Sequence, residues 1–139
     1  MPIFYAVDSE RRVIFEKWNQ AVSAADVREY WFNCLEDPRF TAIRRILVDI
    51  REAQIEFSAE ELGELITEVA VPYIGAKRWA IASVVDSRKQ YEMSRQYQIF
   101  IKAYSSGGIY SDRNVALAWL LKQDIWSDGP GSPEGGARN

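Results

Sequence analysis

Arg45-Ile46-Leu47-Val48-Asp49-Ile50-Arg51 is followed, seven residues on, by Ser58-Ala59-Glu60-Glu61, and these two segments decide the fold class. Ile46, Leu47, Val48 and Ile50 form an apolar run broken only by Asp49. A strand covered on both faces needs such a run, because neither face can be left polar. Its β-branched content and the helix-start signals that frame it favour strand over buried helix. Ser58 and Glu61 then have the spacing of a capping box, in which each side chain satisfies the other's backbone N–H. A buried central strand feeding a capped helix is the reading. Asp49 falls near the expected carboxyl end of that strand, where open α/β sheets hold their ligand-facing residues. Asp49 and Arg51, two apart, share a face and can form a rim ion pair, since a lone buried carboxylate is costly.

Upstream, the apolar stretches Ile3–Val7 and Val13–Trp18 flank Asp8-Ser9-Glu10-Arg11, the pattern of an antiparallel hairpin. Ser23 caps a helix with Asp26 at its third position, where an acidic group meets the positive helix end. Val27, Tyr30, Trp31, Cys34 and Leu35 form its core stripe, which makes Cys34 a buried, inert thiol. Asp37-Pro38 is expected to end that helix.

Downstream, Ala53–Phe57 reads as a loop and Leu62, Leu65, Ile66 and Val69 as the stripe of the Ser58 helix, closed by Pro72. Trp79–Val85 is a second buried strand, and Asp86-Ser87-Arg88 turns into a third helix with Met93, Tyr97, Phe100, Ile101 and Tyr104 inward. Ser105-Ser106-Gly107-Gly108 is expected to break it, before a short strand at Ile109–Ser111, a cap at Asp112 and a last helix over Val115–Leu121. The predicted fold is α/β: a single mixed five-stranded sheet, an N-terminal β-hairpin followed by βα repeats, with four helices. Residues 1–126 are expected to form one domain. The tail 127–139, SDGPGSPEGGARN, has no core-forming residues and is expected to be disordered.

The 139 residues are 47% hydrophobic, enough for a core, and carry a net charge of −3 from 17 basic and 20 acidic side chains. These are interspersed, with no basic stripe of the kind nucleic acid selects. One cysteine and no histidine exclude an internal disulfide, a Cys/His zinc site and a histidine base. MPIFYAVDSERR does not read as a signal peptide, and no apolar run reaches the roughly 20 residues of a membrane span. A reduced, cytoplasmic setting is expected, with no metal and no cofactor.

The two opening strands, ILVDIREA, WAIASVVDS and the closing DRNVALAWLL resemble the small domain shared by sulfate transporters and anti-sigma-factor antagonists (STAS), and more closely the SpoIIAA-like proteins, over residues 2–125. The resemblance implies a non-catalytic regulatory module that binds a protein partner, an anti-sigma factor in antagonist members. There a serine at the start of the helix after the third strand is phosphorylated. Ser58 occupies that place, but the family's Asp-Ser-Ser-Gly motif is absent and Glu56, Glu60 and Glu61 would oppose a phosphate.

In this topology Asp49, Arg51, Ser58, Asp86, Ser87, Arg88, Ser111, Asp112 and Arg113 gather on one edge of the sheet. Helix N–H groups with nearby arginines suit a phosphate or carboxylate there, although every α/β fold puts caps and turns on that edge. Catalysis is not expected, because Ser87 has no base and SSGG precedes a strand, whereas a phosphate loop precedes a helix. The alternative function is a small-ligand or lipid carrier, with Tyr73, Ile74, Trp79, Tyr91 and Tyr97 lining an apolar cleft between the second and third helices. An exposed apolar patch and no deep cavity would mark the partner module; an enclosed apolar pocket would mark the carrier. A homodimer is compatible with either.

Overall fold

A computed structural model of the chain describes residues 2–74 and 77–126, the side chain of Ile74 excepted. The tail 127–139 and the disorder expected of it lie outside the described residues. The predicted sheet is present: β1 (Ile3–Asp8), β2 (Val13–Val22), β3 (Arg45–Ile55), β4 (Trp79–Val84) and β5 (Ser105–Tyr110) pair in the order β1-β2-β3-β4-β5. The β1–β2 hairpin is antiparallel and every other pairing is parallel. The hairpin turn is held by the Asp8 carboxylate, which accepts from Arg11 N at 3.0 Å and Arg11 Nε at 2.8 Å.

The four expected helices are α1 (Ala24–Cys34), α3 (Ala59–Leu65), α5 (Arg88–Phe100) and α6 (Arg113–Leu121), and two short ones join them, α2 (Pro38–Ile43) and α4 (Val71–Ile74). Asp37-Pro38 thus starts a helix as well as ending one: Asp37 accepts from Arg39 N at 2.9 Å, and proline suits the first helical position, where no N–H is needed. Pro72 does not close the Ser58 helix either. A π-helical turn, Ile66–Ala70, follows α3, so α4 starts afresh at Val71 and the proline falls within its first turn.

Two cores result. On one face of the sheet α1, α2, α3 and α5 cover Ile14, Trp18, Ile46, Ile50 and Ile81. On the other, α6 lays Ala116 and Leu120 over Val13, Leu47, Ala80, Ala82 and Val84. The alanines let helix and sheet approach closely. Each fully buried aliphatic side chain here contributes about 1.5–3 kcal/mol.

β3 is longer than its apolar run. Trp18 on β2 stands opposite two residues of β3, Ile50 and Arg51, because the register steps from Lys17–Asp49 to Asn19–Glu52. This bulge reverses the alternation of β3. Ile46 and Ile50 face the larger core before it; Ala53 and Ile55 face the same core after it. The expected loop at Ala53–Phe57 is strand as far as Ile55 for this reason. β5 likewise begins at Ser105, not Ile109, since Ser105–Tyr110 pair with Trp79–Val84.

Candidate functional site

Alternation on β2 sends Ile14, Glu16 and Trp18 into the larger core. Parallel register carries the first two across the sheet: Ile14 aligns with Ile46 and Ile81, and Glu16 with Val48 and Ser83. Glu16, Trp18, Ile46, Val48, Ile81 and Ser83 form the floor of a cavity of about 70 Å³. Its walls come from Trp31 and Cys34 of α1, Phe40 of α2, Leu62 of α3, Ala70 of the π-turn, and Met93, Ser94 and Tyr97 of α5. Trp79 and Ser105 close the end where β4 and β5 begin. Ala70, Ser83, Ser94 and Ser105 are small where a larger side chain would fill the space, and native interiors rarely leave voids larger than a water.

Glu16 is the polar centre. It is only 6% exposed. One carboxylate oxygen accepts from Trp18 Nε1 at 2.7 Å and the other from the Tyr30 hydroxyl at 2.8 Å. Burial raises its pKa from 4.5 to about 6, and the two hydrogen bonds offset part of that rise. Among the described residues no Lys or Arg forms an ion pair with it. Its field, added to burial, pushes the Tyr30 and Tyr97 hydroxyls and the Cys34 thiol upward. Cys34 is fully buried and stays a neutral thiol, as its place on the α1 stripe implies. The Trp79 indole N–H is buried without an acceptor.

α5 is built around this cavity in a way its apolar spacing does not show. Its buried residues are Gln90 and Ser94, with Met93 and Tyr97 partly buried, whereas Phe100 is 43% exposed and Tyr104 half-buried. Gln90 ties the helix to β3, donating to the carbonyls of Arg51 at 3.2 Å and Ala53 at 3.0 Å. Polar residues line the inner face because they reach strand carbonyls and border open space.

Outside the cavity, Leu62 and Met93 also wall an open groove of about 650 Å³ between α3 and α5, rimmed by Arg88, Lys89 and Arg95. Of the aromatics expected in a cleft, Trp79 and Tyr97 line the cavity and Tyr91, 44% exposed, lines the groove. Tyr73 does not join them. It is 49% exposed, because the π-turn rotates α4 relative to α3, and Ile74 lies outside the described side chains.

The residues expected on the sheet edge are mostly used for architecture. Asp49 lies mid-strand, given the length of β3, and faces away from the cavity. It accepts from Arg51 Nε at 3.0 Å and Nη2 at 2.9 Å, which holds its carboxyl below the usual range against the opposing effect of burial. Ser58 and Glu61 complete the capping box of α3 at 3.1 and 2.9 Å. Ser87 caps α5 through Gln90 N at 3.2 Å, Asp86 N donates to Gln90 Oε1 at 2.7 Å, and Arg88 meets Glu92 at 3.3 Å. Asp112 caps α6 by accepting from Asn114 N at 2.8 Å and Val115 N at 3.2 Å. The Arg113 guanidinium lies 5.0 Å from the Phe15 ring centre. Glu16, which none of these positions signals, was legible as a carboxylate between Ile14 and Trp18 on an inward-facing alternation.

Among the described residues no group of acidic, His or Cys side chains could hold a metal, and no helix is long and apolar enough to cross a membrane. No family model and no curated protein matches the chain. Among solved structures it is similar to an uncharacterized protein of the DUF3478 family, with a SpoIIAA-like fold, from Shewanella loihica PV-4. The two share 19% identity at a TM-score of 0.55, over 85% of this chain and 93% of the other. That likeness shows the fold alone, and the fold is the SpoIIAA-like one expected from the sequence.

Proposed function

We propose, from a SpoIIAA-like fold with a cavity built into its larger core, that the protein is a non-catalytic module that binds a small ligand. The cavity is the observation that carries this reading. Small-molecule sites are concave and mostly apolar, with a few convergent polar groups. Here aromatic and aliphatic walls surround Glu16, Ser83 and Ser94. Binding is favoured over turnover because both Glu16 oxygens are already engaged and Asp49, Asp86 and Asp112 are not among the lining residues. The carrier reading therefore moves ahead of the partner module.

A second reading has its own observation. Tyr91 and Ile99 of α5, both exposed, leave an apolar strip along the groove beside α3, which suits a protein partner. Since Leu62 and Met93 wall both spaces, a ligand in the cavity would be felt at that strip, as a ligand-controlled regulatory module requires.

The five tryptophans provide the test. Trp18, Trp31 and Trp79 line the cavity, whereas Trp119 and Trp126 pack on the α6 side. In a fragment titration followed by ¹H–¹⁵N correlation spectra, binders should shift the first three indole signals and leave the other two in place. Fragments that shift none of the three, or act only on groove residues, would overturn the proposal.

A further inference from the structure

This inference rests on the ligand-binding reading and specifies the ligand. We propose that the cavity takes the head of a small organic monocation, an ammonium or methylated ammonium group, with Glu16 as its counter-charge and the surrounding rings as its walls.

The first argument is the unbalanced carboxylate. Buried charges in proteins are normally paired, because desolvation costs several kcal/mol per ion. Glu16 is buried with two neutral donors. The titratable groups facing it from packed elements are Tyr5 of β1, Tyr30 and Cys34 of α1 and Tyr97 of α5, none of which can carry a positive charge. From β3 and β4 its row neighbours are Val48 and Ser83. An ionised carboxylate accepts up to about four hydrogen bonds, and two are made, so an ammonium head finds both charge and lone pairs.

The second argument is the walls. Trp18, Trp31, Phe40, Trp79 and Tyr97 surround the same space. Aromatic faces attract cations, most strongly when the cation is desolvated, and cages of such rings bind quaternary ammonium groups. The third is size. A dry cavity of about 150 Å³ accepts benzene, so one of about 70 Å³ accepts a head of roughly three heavy atoms. The remainder of the ligand would pass Leu62 and Met93 into the α3–α5 groove. Arg88, Lys89 and Arg95 line it against Glu92 alone, which is paired with Arg88, and disfavour a second positive charge there.

Ethylammonium and its uncharged counterpart of the same size, ethanol, separate charge from shape. Titrated at pH 7.5 with the Trp18, Trp31 and Trp79 indole signals as readout, ethylammonium should bind about tenfold or more tightly than ethanol. Protonating Glu16 removes the counter-charge. Ethylammonium affinity should therefore fall about tenfold per pH unit below about 6, while that of ethanol stays level. Glu16→Gln should erase the preference; should that variant not fold, the pH series on the native chain makes the same test. Equal or tighter binding of ethanol would overturn the cation assignment and leave the cavity reading standing. So would uncharged fragments that move the three indoles when ethylammonium does not. If neither ethylammonium, ethanol nor any fragment moves them, both proposals fall.

Discussion

Glu16 lies between Ile14 and Trp18 on the inward-facing side of β2, a position where strand alternation asks for an apolar residue. Its cost appears as pH dependence. Its folded pKa, about 6, lies above the ordinary 4.5 of the unfolded chain. The folded state therefore holds this proton more tightly, and the stability it confers is complete below pH 4.5 and lost as pH rises through 6. The shift corresponds to about 2 kcal/mol. Urea unfolding of the native chain and of Glu16→Gln from pH 4 to 7.5 should show the native chain losing that amount relative to the variant. Parallel curves would sink the assignment. Tyr30→Phe removes one of the two donors and should cost about 1–3 kcal/mol at pH 7, where Glu16 is mainly charged, and less at pH 4.5.

At the scale of elements, capping and periodicity place the helices, and the hydroxyls that look site-like are those that cap. Ser58 and Ser87 each accept a hydrogen bond from the third helical N–H. Ser58→Ala and Ser87→Ala should each lower stability by about 1 kcal/mol, while Ser58→Asp, itself a good cap, should cost under about 0.5 kcal/mol. Chemical denaturation of the three variants checks this. A Ser58→Asp loss as large as that of the alanine variant would contradict the capping role. Three features were out of reach of local patterns. The β3 bulge reverses alternation after Ile50, so Ala53–Ile55 has no continuous strand signature. The π-turn lets a helical path continue past Pro72. Ser105–Gly108 is poor in strand formers and is strand because β4 offers it a ladder.

Across the described molecule, one arginine joins the N-terminal hairpin to the end of α6. Arg45, at the first position of β3, is buried; Asp124 lies near enough to favour its charge, and the guanidinium donates to backbone carbonyls. These are Arg11 and Arg12 at the hairpin turn, and Leu121 and Gln123 at 3.2 Å just past α6. The Trp126 ring lies 4.5 Å from the Arg45 guanidinium and 3.8 Å from that of Arg12, and its Nε1 donates to Ala42 O at 3.1 Å. Arg45→Met keeps the length of the stem and leaves several buried carbonyls unpaired, so it should cost about 3 kcal/mol or more. Thermal and urea unfolding measure it; a loss under about 1 kcal/mol would show that water replaces the guanidinium.

The alternation of strands and main helices, the antiparallel hairpin leading a parallel sheet, the Ser23, Ser58 and Asp112 caps and the place of Cys34 on a buried stripe were determined by the sequence alone, because each signal lies in residues within a few positions of one another. Tertiary structure decided the site. Whether Glu16 is solvated or sealed depends on Tyr30 and Trp31 from α1, Tyr97 from α5 and Ser83 from β4, brought together only when helices close over the sheet. The same holds for Asp49, whose place mid-strand follows from how far β2 pairs with β3. Desolvation is a property of the packed assembly. Neighbours along the chain cannot report it.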